Sequence, residues 1–95
     1  MLHLVQGDVL EFCIAMCNVD PFAVKQVHFI SKDLGVEVEA YWDNGVYRVR
    51  VQGEITQKFP VGFARYDVVV TLIDDEKVTV KLNEKMEVLK RNSEV

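Results

Sequence analysis

Polar and apolar residues alternate with a period of two along most of this chain. Tyr47, Val49 and Val51 take turns with Arg48, Arg50 and Gln52, and Val36, Val38 and Ala40 take turns with Glu37 and Glu39. Successive side chains of a strand project to opposite faces, so these stretches read as half-buried β-strands. Over residues 9–17 the set Leu10, Phe12, Ile14 and Met16 marks the core face, opposite Glu11, Cys13, Ala15 and Cys17. The same grammar predicts strands over residues 2–6, 25–32 (with Val27 and Phe29 inward), 66–73, 78–82 and 85–90. Tyr41 and Trp42 close the strand that begins at Val36.

Turn formers punctuate these runs. Gly7-Asp8, Asp33-Leu34-Gly35, Asp43-Asn44-Gly45, the 56–62 connection and Asp74-Asp75-Glu76 recur at the spacing of about 8–12 residues that marks a sandwich. Asp43-Asn44-Gly45 is the sharpest, because Asn and Gly tolerate the positive φ of a tight hairpin turn. Asp20-Pro21 supplies a cap and a first helical position for one short turn near Phe22. No 3.6-residue period persists long enough for a substantial helix. The expectation is a single all-β domain over residues 1–95, an antiparallel β-sandwich of about seven strands.

Composition narrows the function. Eleven basic and fifteen acidic residues leave a net charge of −4, which argues against a phosphate-binding surface and so against nucleic acid. Arg48 and Arg50 share a strand face and gather with Arg65 at most locally. Glu37 and Glu39 on the neighbouring strand are expected to pair with them across the ladder. Apolar runs are only a few residues long, far below the ~20 of a membrane span, so no membrane partner is expected. Met1-Leu2-His3 leads straight into polar residues without a charged and then apolar leader, which implies no secretory signal and a cytoplasmic setting.

Candidate chemistry is thin. Residues four apart on a strand sit roughly 13 Å apart. Cys13 and Cys17 therefore cannot form a disulfide with each other, which needs Cα atoms within about 7 Å. Two free thiols suit a reducing compartment. A zinc reading would add His3 and His28 to Cys13 and Cys17, but paired zinc ligands usually sit in tight turns, so no metal is expected. Ser31 and Ser93 lack a nucleophile context, His28 alternates with Val27 and Phe29 as a sheet residue, and Asp74-Asp75-Glu76 lacks the spaced oxygens of a calcium loop. No phosphate loop or dinucleotide fingerprint occurs, and no cofactor is expected. The chain is expected not to be an enzyme.

One order of features resembles a known family. Gly7-Asp8-Val9-Leu10-Glu11-Phe12 opens the first long strand, Gly45-Val46-Tyr47 precedes Thr56, and Gly62 through Asp67 forms a glycine, aromatic, Tyr-Asp block before an apolar strand and an acidic turn. This is similar to the N-terminal immunoglobulin-like domain of the upper baseplate proteins of phages of Gram-positive bacteria. Ala64 stands where that family usually carries an aromatic, and the turn before Asn83 lacks its glycine. The resemblance implies an immunoglobulin-like sandwich that serves as a structural protein-protein interaction module of a phage or prophage tail or baseplate. Its partners would be other phage structural proteins or further copies of itself. It would be a virion component assembled in the bacterial cytoplasm. Tyr41 and Trp42, at the hairpin mouth, are the candidate contact residues, the competing reading being that Trp42 simply caps the core. The alternative is a bacterial sandwich that binds a small molecule or carbohydrate in a pocket beside Trp42. Gly62 and Tyr66 are expected to form a corner, Gly62 giving backbone freedom and the Tyr66 hydroxyl bonding back to the preceding connection.

Overall fold

Strands of alternating character bury one face each only by stacking as two sheets, and that is the arrangement observed. The computed structural model describes residues 1–14 and 20–91. Within them lie eight strands: β1 (Leu2–Val5), β2 (Leu10–Ile14), β3 (Val24–Ser31), β4 (Val36–Glu39), β5 (Tyr41–Asp43), β6 (Val46–Val51), β7 (Gly62–Leu72) and β8 (Lys77–Leu89). One sheet has the order β1-β8-β7-β3-β4 and the other β2-β6-β5. Every pairing is antiparallel except β1 with β8, which run parallel from Leu2 beside Met86 to Val5 beside Leu89.

The two inner faces share one core. Val27 and Phe29 of β3, Val49 of β6, Val68 and Val70 of β7, and Met86 and Val88 of β8 are all fully buried. Phe12 reaches across from β2 to meet Phe29 edge-on, with ring centroids 5.6 Å apart, and both rings lie against Tyr66. Leu10 and Ile14 are buried while Glu11 and Cys13 are exposed, as the alternation requires. The continuation of that pattern through Ala15, Met16 and Cys17 lies outside the described residues.

The hairpin at Asp43 forms as the sequence implies, with Asn44 at φ 48° and Gly45 at φ 90° between β5 and β6. The short turn after Asp20 is a 3₁₀ helix over Pro21–Ala23, and the Phe22 N–H donates to Asp20 Oδ1 at 3.0 Å. The acidic turn is a solvated hairpin end, where Asp75 sits at φ 68° and Lys25 donates to its carboxylate at 2.8 Å. That hydrogen bond holds the Asp75 carboxyl below the usual carboxylate range.

Three features differ from the linear reading. The stretch from Val36 to Trp42 is not one strand, because the chain leaves the larger sheet at Ala40, whose N–H donates to the Val27 carbonyl at 2.7 Å, and enters the smaller sheet as β5. Glu37 and Glu39 therefore lie beside Ile30 and His28 of β3. They do not pair with Arg48 and Arg50, which instead meet Asp43 and Glu11, each at 2.7 Å. Arg65 belongs to the other sheet and donates to the Asn83 carbonyl at 2.9 Å, so the three arginines form no cluster. Finally, residues 77–89 are one strand, not two. The break suggested by Asn83-Glu84 is absorbed as irregular register, with Asn83 at φ 52° and its N–H donating to Asp67 Oδ1 at 2.8 Å. A side chain that caps the bulge lets the ladder resume with Tyr66 beside Glu84.

Candidate interaction surface

Tyr41 and Trp42 occupy β5, a three-residue strand at the free edge of the smaller sheet. Both are exposed, Trp42 at 53%. Trp42 lies directly opposite Tyr47 and meets it edge-on at 5.0 Å, whereas Tyr41 lies opposite Arg48 on the outer face. Tyr47 shares its face with buried Val49 and Val51, so Trp42 points to the core side but beyond the covered part of the core. It is a rim residue, braced by Tyr47 and open to solvent. The salt bridge from Arg48 to Asp43 fixes the outer face of the same hairpin.

Gly62 opens β7 at φ 123°, a backbone angle that a side chain strongly disfavours, so the chain enters this strand through a conformation that favours glycine. Tyr66 comes four residues later and is buried. Its ring packs against Phe29 at 5.1 Å, and among the described residues its hydroxyl makes no hydrogen bond to the connection before β7. Starting β7 at Gly62 carries Tyr66 past the corner, which is why the expected bond does not form. Burial, and secondarily the neighbouring Glu84 carboxylate, push the Tyr66 phenol above its ordinary range.

A different polar residue ties the connection before β7 to the Gly7-Asp8 turn. Gly53–Thr56 forms one helical turn, and the fully buried Thr56 hydroxyl donates to the Asp8 carbonyl at 2.6 Å while accepting the Gly7 N–H at 3.2 Å. Gly53 sits so close to the Gly7 carbonyl that any side chain would collide with it. Arg91 donates to the Asp8 carboxylate and, at 3.1 Å, to the Gln6 carbonyl. Gly7-Asp8 and Thr56, separate signals along the chain, thus meet in space. Ser31 plays a comparable part. Its buried hydroxyl donates to the Arg65 carbonyl at 2.8 Å and accepts the Leu34 N–H at 3.2 Å. For neither residue does the sequence carry more than a hydroxyl next to an isoleucine.

Of the metal-ligand candidates, the three among the described residues, His3, Cys13 and His28, are not brought together. Cys13 is exposed on the outer side of the smaller sheet, 3.1 Å from Arg48 Nη1. His28 alternates with buried Val27 and Phe29 and so faces outward from the larger sheet. His3, on β1, lies 3.3 Å from Glu87, and Cys17 falls outside the described residues. Among the described residues, concavities lie beside Asp33, Arg65 and Asp67, beside Gln52 and Ile55, and beside Gly7 and Arg91. Neither Tyr41 nor Trp42 lines any of these three.

Among the described residues no helix is long and apolar enough to cross a membrane. Comparison with protein-family models, with curated proteins and with solved structures finds no match for this chain.

Proposed function

We propose that this chain is a non-catalytic protein-protein interaction module, and that it serves in the tail or baseplate of a phage or prophage particle as an immunoglobulin-like unit. The observation that carries the interaction reading is the exposed aromatic pair Tyr41 and Trp42 on a short edge strand, with Trp42 braced by Tyr47. Aromatic anchors presented on a rigid frame are the side chains that most often dominate binding energy at protein interfaces. Free strand edges add backbone donors and acceptors that a partner strand satisfies. The phage attribution rests on the order of Gly7-Asp8, Gly45-Val46-Tyr47, Thr56 and the Gly62-to-Asp67 block.

A sandwich that binds a small molecule or carbohydrate at Trp42 is the weaker reading, since the three concavities lie away from that residue. The test is to fractionate, on a density gradient, an induced lysate of cells that carry the gene. A particle component sediments with tails or whole particles. Recovery only at the top of the gradient, with free proteins, overturns the particle reading. Within that assay, Tyr41→Ala/Trp42→Ala lowers particle incorporation without changing the melting temperature of the purified chain. Full incorporation of the double variant removes these residues from the interface.

A further inference from the structure

The larger sheet has two open edges of opposite charge. On one side β4 is terminal and carries Glu37 and Glu39, both exposed. On the other side β1 covers β8 only from Met86 to Leu89. Among the described residues the outer edge of β8 from Lys77 to Lys85 pairs with nothing, and it carries three lysines, Lys77, Lys81 and Lys85, against one acid, Glu84. Among the described residues Glu37, Glu39, Lys77 and Lys81 take part in no ion pair. The open length, nine residues, readily spans the four residues of β4.

We infer that β4 of one copy adds to the open edge of β8 of a second copy, joining successive copies into one continuous sheet. The inference rests on the interaction-module reading and names its partner as this same chain. Strand direction favours it. Going from β8 through β7 and β3 to β4, each step is antiparallel, so β4 runs opposite to β8. A second copy in the same orientation therefore presents β4 antiparallel to β8, the more stable kind of pair.

The faces also agree. Val78 lies beside core-facing Val70, and Val38 beside core-facing Phe29. Thr79 lies beside Val69, and Glu37 and Glu39 beside Ile30 and His28, all on the outer face. Placing Val38 opposite Val78 then sets Glu39 against Lys77, Glu37 against Thr79, and Val36 against Val80. Apolar residues meet on the inner face, and on the outer one Glu39 meets Lys77 while Glu37 meets the neutral Thr79, so this register gathers one opposite-charge pair and brings no like charges together.

Lysines on a free edge ordinarily keep edges apart. Here they exclude β8 from β8 by repulsion, and the glutamates exclude β4 from β4. Only the acidic edge fits the basic one. Such a contact uses two different patches, so it propagates from copy to copy into a ring or an open filament and does not stop at a dimer. A four-residue strand pair is smaller than the standard interface of about 1,200 Å² or more, so a single contact is weak and assembly depends on concentration.

The experiment is sedimentation of the purified chain over a concentration series, at low and high salt, with two charge variants. Wild type associates beyond a dimer at high concentration, and less so in high salt. Glu37→Lys/Glu39→Lys and Lys77→Glu/Thr79→Glu each weaken self-association about tenfold or more while leaving the melting temperature unchanged. Mixed together, the two variants associate again, because each supplies the edge the other lacks. Wild type that stays monomeric at its highest soluble concentration overturns the inference, and the gradient assay still decides the particle reading on its own. Association that survives in either variant alone overturns it too, as does a mixture of the two that fails to associate.

Discussion

Two residues carry more than their types suggest. Thr56 is fully buried, and its one hydroxyl satisfies both the Gly7 N–H and the Asp8 carbonyl. Thr56→Val keeps the shape but strands those groups, so it costs about 1–3 kcal/mol of stability, measured by chemical denaturation. A loss near zero means the 7–8 turn is held by Arg91 and packing alone. Tyr66 behaves oppositely. Its ring is locked between Phe12 and Phe29, so Tyr66→Phe changes neutral-pH stability little. The phenol is raised in the folded state by burial and by Glu84. The folded protein thus holds that proton more tightly than the unfolded chain does. Its contribution is complete below the ordinary tyrosine value of about 10 and is lost as pH rises through the folded value. Wild type therefore loses stability in strong alkali more steeply than Tyr66→Phe, and equal alkaline profiles would remove this role. The alternation marked Tyr66 as inward. Whether its hydroxyl would find a partner depended on where β7 begins, which one sequence pattern does not disclose.

At the scale of elements, local chemistry set the turns and tertiary pairing set the partners. Asn44-Gly45 forms its hairpin because both residues adopt positive φ, and this is a property of the dipeptide. Gly45→Ala forces a side chain into that region at a cost of about 1–2 kcal/mol, seen as a lower melting temperature. An unchanged melting temperature would mean that the turn is not held in this conformation. By contrast, nothing local in the stretch from Val36 to Trp42 says that it divides between two sheets. The alternation continues through Ala40, but the Ala40 N–H is taken by Val27, and the next residues pair with β6. That one crossing sends Glu37 and Glu39 to a sheet edge and leaves Arg48 and Arg50 to Asp43 and Glu11. Residues 77–89 show the reverse error. Asn83 looks like a turn and acts as a bulge, because Asp67 on the facing strand accepts its N–H.

The whole molecule is long for its mass. It extends 47 × 26 × 19 Å with a radius of gyration of 14.1 Å. A compact chain of this length has a radius of gyration of about 12 Å. β7 and β8 supply the length, running on as a hairpin past the part of the larger sheet that β1 covers. The open stretch of β8 is the consequence, and with acidic β4 it gives the molecule edges of opposite sign although its net charge is only −4. That separation was invisible in the composition, where the charges simply sum. The order of residues was enough to specify the all-β class, the inward face of most strands and the tight turns. These follow from period-two alternation and from backbone angles that only certain residues accept, both of which are local. Which strands adjoin, that Thr56 closes the Gly7-Asp8 turn, and which edges remain open were settled only when the chain folded. Those are contacts between residues far apart in the chain, chosen by how the two sheets together bury one core.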